Sequence, residues 1–179
     1  KLIHRVIELQ RTMVGGTMQA ARAALRQHKL AINLGGGFHH GQRERGQGFC
    51  LFNDIAIAIA ELRSQGFSEP IAVIDLDLHD GDGTRAIFAD DPSVFTLSIH
   101  NAHWGPTEAE SSFALALGDQ VGDRDYLAAI REHVPAMLDR HRPSLVFYLA
   151  GCDPAADDPL GNWQISDEGM LDQIGRAHV

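Results

Sequence analysis

The sequence predicts an α/β fold with a mostly parallel sheet. Hydrophobic residues make up 44% and charged residues 22% of the 179 residues, a balance typical of a chain that buries a core. Four short apolar segments alternate with segments of helical character, as in sheets whose parallel strands are joined by helices. The segments predicted to be strands are residues 30–34, 71–76, 94–99 and 144–150.

The N-terminal part is predicted to contain two helices. Residues 1–13 carry apolar side chains at helical spacing, which predicts the first helix. Gly15 and Gly16 interrupt this pattern. A second helix is therefore expected over residues 18–28, with the Thr17 hydroxyl as its N-cap.

The next segments read as a strand, a loop and a helix. Residues 30–34 are apolar and run into three glycines at 35–37, which predicts a strand followed by a loop. Asn53 or Asp54 then supplies an N-cap for a helix that Gly66 closes.

The C-terminal half is predicted to hold a long loop and a long helix. Residues 101–122 show no clear period, so we expect a loop, and loops of this length are often functional. Asp123 is expected to cap a helix that runs to about Arg140, and Pro143 ends it before the last predicted strand.

Charge and composition exclude several functional classes. The net charge of −9 and a pI near 5.5 disfavour a nucleic-acid partner. No uncharged apolar run approaches the ~18 residues needed to span a bilayer. Two cysteines provide no disulfide framework and suit a reducing compartment, so we expect a cytoplasmic protein.

Each predicted strand is followed by residues that bind metals or transfer protons. Ligands of parallel sheets bind beyond the carboxyl ends of the strands. Unpaired carboxylates and imidazoles are costly to bury, so a fold alone does not require them there. These residues are His39 and His40 after the first segment, Asp75, Asp77, His79, Asp80 and Asp82 after the second, His100 after the third, and Asp153 after the fourth.

Asp77, His79 and Asp153 are candidate metal ligands. Asp77 and His79 are two residues apart, so on extended chain they point to the same side. With Asp153 they make a three-ligand set of oxygen and nitrogen donors, the number that a catalytic zinc commonly has. The same donors also suit Fe²⁺ or Mn²⁺. The alternative is that Asp77 and His79 are ordinary cap and loop groups.

His39 and His40 are candidates for acid–base catalysis. Imidazoles next to a bound cation act as general base and general acid, and each needs an acceptor on its second nitrogen to set its tautomer. The carboxylates of Asp75 and Asp82 are available for this purpose. The alternative is a pair of polar loop histidines, one solvated and one bonded to backbone.

Five stretches together resemble the zinc-dependent deacetylase family, which comprises histone deacetylases, acetylpolyamine amidohydrolases and acetoin-utilisation proteins. They occur in the family's order, and their wording is closest to bacterial members. The resemblance implies a three-layer arginase-like α/β fold. The matching stretches are residues 35–41, 48–54, 75–84, 98–100 and 151–161.

The resemblance also assigns roles to individual residues. Asp77, His79 and Asp153 would be the zinc ligands. His40 would be the general base and acid with Asp82 behind it, and His39 would be the second histidine with Asp75 behind it. A structural monovalent cation, usually K⁺, would lie on Asp75, the backbone of Asp77 and His79, Ser98 and Ile99. Gly48, Phe49 and Trp104 would line the substrate channel.

The implied reaction is zinc-dependent hydrolysis of N-acetyl amides, of the acetyl-lysine or acetylpolyamine type, to acetate and a free amine. Metal-activated water attacks while a histidine transfers the proton. One alternative is a catalytically weak, metal-dependent protein that binds acyl-amines. Another is a binuclear ureohydrolase of the same fold, which the Pro154-Ala155 sequence after Asp153 disfavours because that site needs further carboxylates.

Two departures from the family pattern stand out. Asp80 occupies a position where many members have a second histidine. The family also uses a tyrosine, or sometimes a histidine, as oxyanion donor in a later glycine-rich loop, whereas the tyrosines here are Tyr126 on a predicted helix and Tyr148 in a predicted strand. Loss of one such donor typically costs ~10²–10³ in rate, so we expect this chain itself to be impaired.

The resemblance predicts that residues 1–173 form the central part of a single deacetylase domain, incomplete at both ends. Residues 174–179 read Ile-Gly-Arg-Ala-His-Val, which a common sequencing adapter encodes in one frame. We therefore expect residues 174–179 to be a non-native tail. The alternative is a native helix end.

Overall fold

The computed structural model describes residues 2–175. Most of the expected non-native tail lies outside these residues; Ile174 and Gly175 end the last helix. The chain divides into two compact units, the first formed by Lys1–Glu69 and Gly83–Ile87 and the second by Pro70–Asp82 and Phe88–Val179. None of the helices within the described part is long and apolar enough to cross a membrane.

The first unit is built from α1 (Leu2–Gln27), α2 (Asp54–Ser64) and most of the short helix α3 (Asp82–Ile87). The prediction of two helices before residue 28 was wrong, because α1 runs through Gly15 and Gly16 without a break. Gly16 instead provides room, since a Cβ there would lie 2.7 Å from Asn33 Oδ1. Gly16 therefore marks a close approach of another segment to a helix.

The strand predicted over residues 30–34 does not form. Within the described residues this segment pairs with no strand, and Leu34 is 97% exposed. Side-chain hydrogen bonds hold it instead: the Asn33 amide donates to the Met13 carbonyl at 3.0 Å and to Thr17 Oγ1 at 2.7 Å. Thr17 is thus not an N-cap but a buried group in mid-helix.

Asp54 organises the loop that precedes α2. Its carboxylate accepts the backbone N–H of Gly37 and Phe38 and the hydroxyl of Thr17. The N-cap of α2 is Asn53, whose side chain accepts from the Ala56 N–H at 2.9 Å. The predicted start of α2 is confirmed, and the same two residues also fix the loop that carries His39 and His40.

The second unit contains a four-stranded sheet in the order β3-β2-β1-β4, with every neighbouring pair parallel. This confirms the predicted α/β class and the parallel sheet. Three strands agree with the predicted apolar segments, and the fourth lies inside the predicted loop. The strands are β1 (Ile71–Asp75), β2 (Val94–His100), β3 (Ser112–Ala116) and β4 (Leu145–Leu149).

Two further helices belong to this unit, α4 (Asp123–His141) and α5 (Asp167–Gly175). The N-cap of α4 is Gly122 and not Asp123 as predicted. The Asp123 carboxylate accepts the N–H and hydroxyl of Ser166, at 2.8 and 2.6 Å. The core of the unit includes the fully buried β1–β2 side chains and the ring of Trp163, packed against that of Tyr126 at 5.2 Å.

Candidate metal centre

The carboxyl ends of β1 and β4 bring three of the predicted residues together. These strands pair in parallel up to Asp75 opposite Leu149, and the Leu76 N–H continues the pairing to the Leu149 carbonyl. The residues that follow each strand therefore meet at one edge of the sheet. The group consists of Asp77, His79 and Asp153, which offer ligand atoms within 4.8 Å of one another.

Within this group the imidazole of His79 lies between two carboxylates. Its Nδ1 is 2.8 Å from Asp153 Oδ2 and 3.2 Å from Asp77 Oδ1. Backbone hydrogen bonds fix the acids, because the His79 N–H donates to Asp77 Oδ1 and the Leu78 N–H donates to Asp153 Oδ1. The three side chains are 15–24% exposed, so the group is held rigidly but stays open to solvent.

The two carboxylates make His79 strongly basic. The hydrogen bond to Asp153, and then that to Asp77, raise the pKa of His79 to about 10. At neutral pH the imidazole is therefore protonated, and its positive charge partly balances the two acids. A divalent cation would take the place of this proton, since metal ligation requires the neutral imidazole.

The donor set and its surroundings fit a divalent cation. One nitrogen and two carboxylates are ligands that zinc accepts, and three protein ligands leave a position for water or substrate. Gly151 preserves the space, because a Cβ there would lie 2.5 Å from Asp77 Oδ2 and 2.8 Å from Asp153 Oδ1. Any side chain at this position would push the two acids aside.

The residues predicted to bind a monovalent cation lie on the neighbouring strand ends. Asp75 pairs in register with Ser98, and both are buried. The Asp75 carboxylate accepts the Asp77 N–H at 3.2 Å, and Ser98 Oγ accepts the Gly81 N–H at 3.2 Å. Ile99 follows Ser98 in β2 and is also buried. The Asp75 carboxylate and the Ser98 hydroxyl therefore offer oxygen atoms that suit K⁺ on paired strands. Binding of the cation itself stays a prediction.

His39 and His40 lie in the loop before α2, in the first unit. Both are buried, with ring centroids 4.1 Å apart and planes tilted by 51°. The His39 carbonyl accepts the Thr84 N–H at 2.9 Å, which fixes the pair to α3. Because this loop follows no strand, the expectation that every candidate residue lies at a strand end was wrong for the histidines.

Two of the predicted channel residues adjoin this pair. Gly48 has a φ of +51° and lies against His40, since a Cβ there would be 2.2 Å from the imidazole Cδ2. Phe49 also has a positive φ, +64°, and its side chain is 91% exposed. The histidines and the Asp77–His79–Asp153 group belong to different units, so their joint action stays a prediction.

Trp104, the third predicted channel residue, lies against a candidate metal ligand. Its ring meets that of His79 edge-on, with centroids 5.3 Å apart. The backbone N–H of Trp104 donates to Asp80 Oδ2 at 3.0 Å. Asp80, the residue that departs from the family pattern, therefore anchors the loop that carries this tryptophan.

A second group of side chains that could hold a metal ion was not recognised in the sequence. Asp80, His100 and His103 also offer ligand atoms within 4.8 Å of one another. His100 ends β2 and His103 follows three residues later. Asp80 and His100 were visible as strand-end residues, whereas His103 lay in the predicted loop. The parallel pairing of β1 with β2 was the signal that could have joined them.

The hydroxyl groups of Tyr126 and Tyr148 already donate hydrogen bonds to backbone carbonyls. Either tyrosine would have to give up this bond to act as an oxyanion donor. The Tyr126 hydroxyl donates to the Leu76 carbonyl at 3.1 Å, and the Tyr148 hydroxyl donates to the Gln173 carbonyl at 3.0 Å. Burial raises the pKa of Tyr126 far above its usual value and raises the pKa of Tyr148 to about 12. Both are packed structural groups.

The chain is similar to several known proteins. The histone deacetylase domain family matches the chain over residues 2–177. An uncharacterised protein of Picosynechococcus is 40% identical over 92% of this chain and 55% of its own length. Histone deacetylase 2 of Arabidopsis thaliana is 37% identical over 89% of this chain and 42% of its own length.

A solved structure shares the fold. An HDAC homologue complexed with SAHA has a TM-score of 0.83 and 27% identity, covering 93% of this chain and 48% of the homologue. The chain thus spans about half the length of the relatives it matches. With a family match over nearly all residues and a shared arginase-like α/β fold, the chain belongs to the histone deacetylase domain family.

Proposed function

We propose that the protein hydrolyses N-acetyl amides of the acetyl-lysine or acetylpolyamine type to acetate and a free amine. The observation that carries this proposal is the convergence of Asp77, His79 and Asp153 at one sheet edge. Membership of the histone deacetylase family supports the reaction class. Similarity to an HDAC homologue complexed with SAHA supports a small-molecule site.

Asp77, His79 and Asp153 would hold Zn²⁺, and the same donors also suit Fe²⁺. When bound, the cation acts as a Lewis acid on the amide carbonyl and lowers the pKa of a water. The protein contributes ligands already fixed by the Leu78 and His79 amides, so little reorganisation precedes binding. The Gly151 backbone leaves the space that the cation needs.

Proton transfer is assigned to the histidine pair. His40 takes the proton of the attacking water and later gives it to the nitrogen of the leaving amine. Asp82 is the proposed acceptor behind His40, and Asp75 the one behind His39; each would set the tautomer of its histidine. Both imidazoles are buried.

Gly48, Phe49 and Trp104 are the proposed channel residues for the acyl-amine chain. Phe49 is almost fully exposed, so its ring is available to contact a ligand. Trp104 contacts His79 and would limit the size of the acyl group. K⁺ bound by Asp75, Asp77, His79, Ser98 and Ile99 would stabilise the carboxyl ends of β1 and β2.

The experiment measures acetate release from an acetyl-lysine peptide and from an acetylpolyamine, using the protein that contains this chain. His40→Ala is expected to lower kcat by ~10²–10⁴, and the double variant Asp77→Ala plus Asp153→Ala to abolish turnover. The matched control is His4→Ala, an exposed histidine on α1, which should leave kcat unchanged. Full activity in the double variant would refute the proposal, and binding without acetate release would support the acyl-amine-binding alternative.

A further inference from the structure

A second group of ligands lies at the carboxyl ends of β1 and β2. Asp80 follows β1, His100 is the last residue of β2, and His103 lies in the loop behind it. One ligand atom of each lies within 4.8 Å of the others. The group shares no residue with Asp77, His79 and Asp153, so its existence does not depend on the proposed reaction.

The two imidazoles face each other directly. His100 Nε2 lies 2.9 Å from His103 Nδ1, and the ring centroids are 4.9 Å apart with planes at 73°. One proton between two ring nitrogens satisfies this contact in the absence of a cation. A cation can replace that proton, because one ligand atom of Asp80 also lies within 4.8 Å of the ligand atoms of both histidines.

Burial and access also suit a bound ion. The side chains of Asp80 and His100 are fully buried, whereas His103 is exposed. Burial restricts the positions of the Asp80 and His100 side chains. The exposed imidazole of His103 makes the group accessible to an ion from solvent. His100 Nδ1 lies 2.8 Å from Ser98 Oγ, an outer contact of the kind that orients histidine ligands.

A purely structural network is the competing explanation. Ser98 and the Trp104 amide already give His100 and Asp80 hydrogen-bond partners. In that explanation His103 serves only as the partner of the buried His100 Nε2. It does not require His103 to lie near Asp80, whereas ligand atoms of all three residues lie within 4.8 Å of one another. Three convergent donors, one of them at the surface, are what a metal site requires.

We propose that Asp80, His100 and His103 form a second binding site for a divalent transition-metal cation. Two imidazoles and one carboxylate favour Zn²⁺, Co²⁺ or Ni²⁺ over Ca²⁺ and Mg²⁺, which prefer oxygen ligands. Because Asp80 Oδ2 also accepts the Trp104 N–H, the bound ion would restrain the loop that carries Trp104.

The test is equilibrium dialysis of the chain against Zn²⁺, with bound metal counted per protein. Wild type is expected to bind two equivalents and His103→Ala one. The double variant Asp77→Ala plus Asp153→Ala is expected to keep one equivalent, which the additional His103→Ala change removes. His4→Ala, an exposed histidine on α1, is the matched control and should bind as wild type does.

The outcomes separate the two sites. If the double variant binds no zinc, or if His103→Ala retains every equivalent that wild type binds, the second site is overturned, whatever the result for Asp77–His79–Asp153. His103 is exposed, so its variant should fold, and circular dichroism checks this. Asp80→Asn provides a second test, and it should lose the same equivalent as His103→Ala.

Discussion

His79 Nδ1 lies 2.8 Å from Asp153 Oδ2, a contact between residues 74 positions apart in the sequence. It joins the ends of two parallel strands, β1 and β4, that are hydrogen-bonded neighbours. Asp77 approaches the same ring nitrogen at 3.2 Å. The two carboxylates thus favour a proton on His79 Nδ1, at the position where the proposed function places a divalent cation.

Zinc binding is expected to release a proton from His79. The neighbouring acids, Asp153 first, raise the pKa of this imidazole to about 10, so it is protonated at pH 7 and must lose its proton to ligate. Affinity for Zn²⁺ should therefore rise with pH from 6.5 towards 10. Isothermal titration calorimetry in buffers of different ionisation enthalpy measures the proton released.

The control for this prediction is an NMR pH titration of His79 in the metal-free wild type and in metal-free Asp153→Asn. Without that carboxylate the imidazole loses its main stabilising partner, so the pKa of His79 falls. A binding enthalpy that is independent of buffer in the wild-type protein would contradict the prediction.

Gly151→Ala is expected to weaken zinc binding by ~10–100-fold, the range seen when groups that orient metal ligands are changed. The added Cβ would lie 2.5 Å from Asp77 Oδ2, which forces that ligand to move. Gly122→Ala is the matched control, because its Cβ would meet nothing within 4 Å and its φ of −108° suits alanine. Equal zinc affinity in the two variants would show that Gly151 is not needed to leave space beside the Asp77 and Asp153 carboxylates.

The sequence was sufficient to predict that Asp77, His79 and Asp153 lie together, because the signal for this is local; their role as metal ligands stays a prediction. Apolar β-branched segments predicted β1, β2 and β4, and the residues just beyond parallel strands meet at one edge. That rule, together with the two-residue spacing of Asp77 and His79, grouped these two residues with Asp153. The Asp80–His100–His103 group follows the same rule, but finding it required knowing that β1 pairs with β2.

Two elements could not be predicted because packing decided them. Residues 30–34 have the apolar character of a strand, but the Asn33 amide fixes them against α1. In β3, all five residues are only partly buried, and serine and alanine give little strand signal. Pairing with β2, a tertiary effect, makes this segment a strand.

Gly15→Ala and Gly16→Ala are expected to change stability in opposite directions. Both lie inside α1, where replacing glycine by alanine gains about 0.5–1 kcal/mol of helix propensity. At Gly15 a Cβ meets nothing within 4 Å, so Gly15→Ala should be stabilising. At Gly16 it would lie 2.7 Å from Asn33 Oδ1 and displace the side chain that holds residues 30–34.

Urea unfolding measures both variants under one condition. Gly16→Ala is expected to be about 1–3 kcal/mol less stable than Gly15→Ala, because the Asn33 hydrogen bonds must be broken. Equal stability of the two variants would mean that Asn33 does not hold its segment against the helix.

Tyr148 is expected to make the protein less stable in alkali. Burial raises its pKa to about 12, against about 10 in an unfolded chain. The folded state therefore binds the proton of the Tyr148 hydroxyl more tightly than the unfolded state does. The stabilisation that results is fully present below pH 10 and is lost as the pH rises through 12. Urea unfolding at pH values between 8 and 12 measures this decrease in the free energy of unfolding.

Tyr148→Phe provides the comparison. It removes the hydrogen bond to the Gln173 carbonyl, worth about 1 kcal/mol at neutral pH, and also removes the titrating group. Stability should then fall less steeply above pH 10 than in wild type. Parallel pH profiles for the two proteins would show that Tyr148 does not carry the alkaline loss.

The most direct test of the metal centre is anomalous diffraction at the zinc absorption edge from crystals of the zinc-loaded chain. We expect a zinc peak bonded to His79 Nδ1 and to the carboxylates of Asp77 and Asp153. No zinc peak among these three residues would contradict it, even if zinc were bound elsewhere in the protein.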